Sequence, residues 1–144
     1  MGTTAAFLKF SSRKIYLCNV GDSKIFQLTD GTLQQISHDH VAASVFGKKP
    51  PLLQNLGIPE SELIISPYVA AGEYHSGDTY LLCSDGLTDM LTMPEIEKLL
   101  REKTGASAAE QLLEQALERG GKDNITLILI HIEKNKRKLF NFNK

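Results

Sequence analysis

The chain has 144 residues, 42% of them hydrophobic, and a formal net charge of −1 at pH 7. This length is typical of one domain with a single core, and the near balance of charge excludes a general attraction to nucleic acid or to an acidic membrane surface. We expect no membrane span, since no apolar run approaches the ~20 residues that a bilayer requires, and no signal peptide. Any function must therefore reside in a local site.

The first third of the chain consists of short runs of strand-forming residues separated by turns. The runs are Ala5–Phe10, Lys14–Val20, Lys24–Leu28 and Thr32–Ile36. Because the connections contain only a few residues rich in Ser, Gly and Asp, the pattern predicts an antiparallel meander.

Residues 38–62 lose this periodicity and include Pro50, Pro51 and Pro59. A connection of this length inside a compact domain is often functional, but solvated linkers have the same composition. Both interpretations, a flap beside a site and a linker, remain open from the residues alone.

Regular structure is predicted again from residue 63 onward. We expect strands at Leu63–Ala71 and Thr79–Ser84, and a last strand at Ile125–Ile132. Between the last two, capping-box pairs predict the starts of two helices: Thr92 with Glu95, and Ser107 with Glu110. Apolar stripes predict the buried face of each helix: Ile96, Leu99 and Leu100 in the first, and Leu112, Leu113, Ala116 and Leu117 in the second.

The two cysteines and the end of the chain offer no chemistry. Cys18 and Cys83 lie in apolar runs without metal-ligand spacing, which predicts reduced thiols in a cytoplasmic protein rather than a disulfide or a zinc site. Residues 134–144 form a basic segment, which we interpret as a tail or linker in preference to a binding patch.

Three aspartates share an unusual placement at strand ends. Asp22 follows NVG, Asp85 follows LLCS, and Asp123 follows GGK. Each alone is most simply a turn former. Together they could hold Mg²⁺ or Mn²⁺, which prefer carboxylate oxygens and keep several waters. Water bound by two such ions becomes a nucleophile near neutral pH, so the three aspartates predict a phosphoester hydrolase site.

Five stretches also resemble the metal-dependent protein phosphatase 2C family, in the family's order and approximate spacing. They are GTTA at 2–5, NVGDSK at 19–24, the Asp39-His40 pair, LLCSDGLTD at 81–89 and GGKDNIT at 120–126. The resemblance implies an α+β fold, an antiparallel β-sandwich flanked by helices. It covers nearly the whole chain, and implies that residues 1–133 correspond to the C-terminal part of a bacterial-type catalytic domain.

The same resemblance implies roles for individual residues. Asp85 and Asp123 would be ligands of the catalytic metal centre, with Asp22 a ligand of the additional metal of bacterial members, and Mg²⁺ or Mn²⁺ the cofactor. Asn124 would orient the Asp123 loop, while for His40 we favour a structural role in the loop. The substrates would be proteins carrying phosphoserine or phosphothreonine, within a Ser/Thr kinase system. The family's flap would fall in residues 41–62.

The resemblance further implies that the N-terminal strands and helices of the full fold are absent. Two features of the family would be missing with these elements. They are the Arg that holds the substrate phosphate and the Asp-Gly whose carboxylate bridges two metals. We therefore expect weak metal binding and little or no turnover by this chain alone, and exposed strand edges that invite self-association. The alternatives are a non-catalytic regulatory or interaction module on the same scaffold and, more weakly, a spore-type relative acting on a regulator protein.

Overall fold

The computed structural model describes residues 2–43 and 50–133, which form seven strands and three helices. The strands are β1 (Ala5–Phe10), β2 (Lys14–Val20), β3 (Lys24–Thr29), β4 (Thr32–Gln35), β5 (Tyr68–Glu73), β6 (Thr79–Cys83) and β7 (Leu127–His131). The helices are α1 (Asp85–Thr88), α2 (Met93–Glu102) and α3 (Gly105–Glu118). Residues 44–49 of the predicted flap and the predicted tail 134–144 lie outside the described residues.

The strands form two antiparallel sheets, ordered β1-β2-β5 and β4-β3-β6-β7. The expected sandwich is confirmed, but the single meander is wrong, because β2 and β3 belong to different sheets. The reason lies in β3, where Ile25 and Phe26 face opposite sides and are 0% and 1% exposed. A strand that is apolar on both faces needs a layer on each side, and β3 has the other sheet on one side and the helices on the other.

The four-stranded sheet is the middle layer of the molecule. On one face, Leu17, Ile25 and Leu82 form the core between the two sheets. On the other face, a larger core includes Phe26, Leu81 and the buried side chains of the helices. The helices make their main sheet contacts with β4, β6 and β7, so they cover only this second face. The domain thus has helices on the outside of one sheet.

The start of α2 confirms one predicted capping box, whereas α3 contradicts the other. The carboxylate Oε2 of Glu95 accepts hydrogen bonds from the Thr92 backbone N–H at 2.8 Å and from the Thr92 hydroxyl at 2.7 Å. The α3 helix instead begins at Gly105, with Thr104 as N-cap, so Ser107 lies inside its first turn. Thr104 occupies the N-cap position without a side-chain cap hydrogen bond, so the pattern of Ser107 and Glu110 does not mark the start of this helix.

The apolar stripe of α3 is narrower than predicted. Leu112 and Ala116 are buried as expected, together with Ala108, but Leu117 is 56% exposed and Leu113 is also exposed. The buried residues are spaced by four, and two of them are alanines. Leu113 and Leu117 each follow a buried residue by one position, and one position further around a helix points away from the buried row of 108, 112 and 116.

The strand predicted at Leu63–Ala71 instead spans Tyr68–Glu73. Pro67 precedes it and cannot donate a ladder hydrogen bond, and Ile64 is almost fully exposed, so the pairing with β2 begins only after the proline.

The outer face of sheet β1-β2-β5 is apolar and accessible. Phe7, Cys18 and Val69 are neighbours in register across the three strands, and Phe7 and Val69 are 54% and 66% exposed. Cys18 is half-buried and Cys83 is buried, and both are free thiols. Within the described part of the chain, no helix is long and apolar enough to cross a membrane.

A buried carboxylate supports the sandwich at the end of the sheets where β6 begins. Asp78 is 3% exposed and accepts hydrogen bonds from the His75 backbone N–H at 2.8 Å and from the Gln27 side chain at 3.2 Å. Its burial raises the pKa of the carboxyl, but these bonds, with others from Thr29 and Tyr80, outweigh burial and lower the pKa overall. The charged form is thus the one that the fold stabilises.

Candidate functional site

A cavity of about 170 Å³ brings together five charged side chains from segments that are distant in sequence. Its lining comprises Asp22, Lys24, Asp39, Val41, Pro50, Asp85, Thr88 and Asp89. Two of the three predicted site residues, Asp22 and Asp85, therefore share one cavity. Four carboxylates and one ammonium group line this cavity, and carboxylate oxygens are the ligands that hard divalent cations prefer.

Asp22 lies in the crossover turn, residues 21–23, through which the chain passes from one sheet to the other. Gly21 has a φ of +98°, and a Cβ there would lie 2.3 Å from Cγ2 of Thr4. Two features therefore favour glycine at this position, the left-handed backbone conformation and the close approach of Thr4. The hydroxyl of Thr4 also bonds the hydroxyl of Ser23, at 2.7 Å. The GTTA stretch thus supports the turn that carries Asp22.

The segment 38–40 supports the crossover turn from the other side. The Gly21 N–H donates to Nδ1 of His40 at 3.2 Å, and the His40 N–H donates to the Gly21 carbonyl at 3.0 Å. Asn19 is fully buried; its amide nitrogen donates to the His38 carbonyl at 2.6 Å, and its Oδ1 accepts from the His38 N–H at 3.2 Å. The structural role predicted for His40 is confirmed.

Asp85 is placed at the cavity by β6, all five residues of which are buried. The chain leaves this strand at Ser84 and turns directly into α1, a short helix that the sequence did not predict. The Asp85 carbonyl accepts from the Asp89 N–H at 2.8 Å and from the Thr88 hydroxyl at 3.2 Å. This turn brings Asp89 to the same cavity as Asp85.

Asp123 does not line the cavity, although its loop packs against the segment that carries Asp85. A Cβ on Gly86 would lie 2.4 Å from the Asn124 carbonyl oxygen. The Ser84 hydroxyl donates to that oxygen at 3.1 Å and accepts from the Thr126 N–H at 3.0 Å. The exposed Asp123 side chain accepts from the Asn124 N–H at 2.7 Å. The two loops are thus coupled through backbone contacts.

The sequence reasoning did not assign Lys24, Asp39 or Asp89 to the site. Lys24 forms an ion pair with Asp39, whose other oxygen accepts from the Gln35 amide at 2.7 Å. All three residues lie within the stretches that carry the family resemblance. Their position in these stretches was the sequence signal that could have assigned them to the site. Their convergence depends on pairing between distant segments, which local sequence does not specify.

The residues of the cavity fit a hydrated hard cation. The charged groups that line the cavity are carboxylates and one ammonium group, and this set suits Mg²⁺ or Mn²⁺ and not a thiolate-bound metal. Among residues 2–43 and 50–133, no three His, Cys, Asp or Glu side chains are grouped so as to hold an ion. One or two carboxylates with water ligands are the usual coordination of Mg²⁺, so this finding is compatible with the donor set.

The neighbouring thiol takes no part in this chemistry. Burial is the main cause that raises the pKa of Cys83 to about 12; Lys24 opposes it, and the carboxylates of Asp85 and Asp39 add to it. A thiol with this pKa stays protonated at neutral pH and is a poor nucleophile.

Comparison with known proteins identifies the relatives of the chain. The family model described as Protein phosphatase 2C matches residues 1–120. A serine/threonine phosphatase from Listeria welshimeri is 33% identical over 145 residues, covering 90% of this chain and 56% of that protein. The serine/threonine protein phosphatase PstP of Mycobacterium tuberculosis is 33% identical over 143 residues, covering 92% of this chain and 28% of that protein.

Solved structures show the same fold. The structure of the S. agalactiae serine/threonine phosphatase has a TM-score of 0.84 at 29% identity, covering 92% of this chain and 60% of that chain. The PstP catalytic domain in complex with two manganese ions has a TM-score of 0.78 at 32% identity, covering 93% and 60%. The chain therefore spans little more than half the length of most of these relatives.

Proposed function

Because the chain belongs to the protein phosphatase 2C family, we propose that it supplies part of the active site of a metal-dependent phosphatase acting on phosphoserine and phosphothreonine in proteins. The observation that carries this proposal is the cavity shared by Asp22 and Asp85. Support also comes from the relatives, which are named serine/threonine phosphatases.

The proposed roles of the residues follow from their positions. Asp22 and Asp85 would hold Mg²⁺ or Mn²⁺ through their carboxylates, and Asp123 would act as a further ligand from its adjacent loop. When bound, the ions supply an activated water and offset the charge of the phosphoryl group. The protein's own contribution is to fix the carboxylates: the Gly21 turn fixes Asp22, and the Ser84–Asn124 contact joins the loops of Asp85 and Asp123.

We further propose that residues 1–133 form the C-terminal part of a catalytic domain and that 134–144 are a tail or linker. The exposed apolar face of sheet β1-β2-β5 and the partial coverage of the relatives support this division. The isolated chain is then expected to bind metal weakly and to turn over slowly. Among the described strands, β1 and β5 lie at the edges of one sheet and β4 and β7 at the edges of the other, and such edges would permit self-association.

The cellular setting is proposed on the same basis. The free thiols of Cys18 and Cys83 are consistent with a cytoplasmic protein. Phosphorylated proteins would be its substrates, and a Ser/Thr kinase its counterpart. The second candidate function is a regulatory module on the same scaffold, which is favoured by the exposed outer sheet face but not by the carboxylates of the cavity.

A phosphatase assay on a phosphothreonine peptide tests the proposal. We expect a low, Mn²⁺-dependent rate that Asp85→Asn abolishes, whereas Asp30→Asn, in the β3–β4 turn, leaves it unchanged. Hydrolysis that does not respond to Mn²⁺ or to Asp85→Asn would contradict the phosphatase site. Brisk hydrolysis that Asp85→Asn removes would instead contradict the expected incompleteness, and the absence of both turnover and Mn²⁺ binding would favour the regulatory module.

A further inference from the structure

The ion pair between Lys24 and Asp39 joins two segments that line the candidate site. We infer that Lys24 is a positioning residue: its ion pair with Asp39 fastens residues 38–43 to the crossover turn and so holds Asp22 beside Asp85. The consequence for metal binding rests on the function proposed above, whereas the fastening itself is a property of the metal-free chain.

The contacts around Lys24 support this inference. Its ammonium group bonds Oδ2 of Asp39 and lies 3.4 Å from the Asp22 carbonyl oxygen, so one side chain contacts both segments. The side chains of Lys24 and Asp39 are only 18% and 24% exposed, which limits screening by solvent. Gln35 holds the other carboxylate oxygen of Asp39, so the acceptor is fixed before Lys24 binds it.

The segment has further attachments on both sides of Asp39. His38 is bonded to Asn19, and His40 is bonded to Gly21, each through two hydrogen bonds. Residues 51–53 are then paired to 40–42, through the Leu53 N–H to the His40 carbonyl at 2.8 Å and the Ala42 N–H to the Pro51 carbonyl at 3.0 Å. Among the contacts that the described residues show for this segment, the ion pair of Asp39 is the charged one, and the bonds of His38 and His40 are hydrogen bonds with Asn19 and Gly21.

Loss of the Lys24 charge would leave Asp39 facing the other carboxylates of the cavity. Residues 38–43 would then lose the side-chain contact that joins Asp39 to the crossover turn. A purely electrostatic role predicts the opposite consequence for cations, because a cavity with one ammonium fewer attracts Mn²⁺ more strongly. The sign of the change in metal affinity therefore separates a positioning role from a role as a local charge.

Amide hydrogen exchange in the metal-free chain tests the fastening. In Lys24→Met we expect the amides of His40 and Leu53 to exchange about three- to tenfold faster, with the β6–β7 amides unchanged. Lys24→Arg should retain wild-type exchange, since its guanidinium can pair with Asp39. Lys98→Met, on the exposed side of α2, is the matched control. Unchanged exchange at His40 in Lys24→Met would overturn the inference.

Calorimetric titration with Mn²⁺ then tests the consequence. We expect Lys24→Met to weaken binding about three- to tenfold, with Lys24→Arg and Lys98→Met close to wild type. Tighter binding by Lys24→Met would overturn the positioning role. Failure of the wild-type chain to bind Mn²⁺ would refute the proposed metal site, while the fastening would still be decided by the amide exchange.

Discussion

The contact between Gly86 and the Asn124 loop yields a sharp test of how the site is assembled. In Gly86→Ala, the added Cβ would lie 2.4 Å from the Asn124 carbonyl oxygen and 3.1 Å from its carbon. Both are backbone atoms, so the clash cannot be relieved by rotating a side chain. The Asp123 loop must move away from Asp85, or α1 must shift.

Two effects of opposite sign compete in this variant. Gly86 lies in α1, where alanine is favoured over glycine by up to about 1 kcal/mol. Overpacking against a fixed neighbour costs about 1–3 kcal/mol, and the displaced loop also loses the Ser84–Asn124 bond, worth about 1 kcal/mol. The clash outweighs the helix preference, and we expect a net loss of about 1–3 kcal/mol in the free energy of unfolding.

Urea denaturation of Gly86→Ala against wild type measures this loss. Gly72→Ala, in β5, is the matched control, because its Cβ would meet only Cγ2 of Ile15, at 4.0 Å. The control should stay within about 0.5 kcal/mol of wild type or gain stability. Wild-type stability in Gly86→Ala would refute the contact by which we couple the loops of Asp85 and Asp123.

Three further predictions concern stability and titration. Asp78→Asn should lower the free energy of unfolding by about 1–3 kcal/mol at pH 7. Because the folded pKa of Asp78 lies below its ordinary value of 3.8, urea denaturation should show this loss shrinking as the pH falls below 3.8. A loss that is independent of pH would contradict this. The hydrogen bonds from Arg119 are the main reason that the pKa of Glu95 is about 2, so Arg119→Ala should raise that pKa in an NMR titration, and an unchanged value would refute the pairing. Leu112→Ala should destabilise the protein by about 2–5 kcal/mol and Leu117→Ala by less than about 1 kcal/mol in urea denaturation, and equal losses would contradict the orientation of α3.

Local signals in the sequence located most of the elements. The strands β1 and β2 have the predicted bounds, and the Thr92 capping box identified the start of α2. The capping pattern at Ser107 was misleading, because a Ser-x-x-Glu spacing can also occur within the first turns of a helix that begins earlier. The exposure of Leu117 also could not be read from the stripe, because the tertiary contacts of α3 decide how wide its buried face is.

Contacts between distant segments were the part that local sequence could not supply. The assignment of β2 and β3 to different sheets depends on β3 being buried on both faces. Likewise, the pairing of Lys24 with Asp39 joins residues separated by the whole β3–β4 hairpin. The resemblance pointed to Asp22 and Asp85, which share a cavity. It also pointed to Asp123, which lies on the neighbouring loop and whose role as a ligand remains a prediction.

The central claim is that the carboxylates of this cavity hold a catalytic divalent cation. Paramagnetic broadening of backbone amide signals by Mn²⁺ tests it most directly. We predict saturable broadening centred on Asp22 and Asp85 that Asp85→Asn removes and Asp30→Asn leaves intact. Broadening that is centred elsewhere, or that persists unchanged in Asp85→Asn, would contradict the claim.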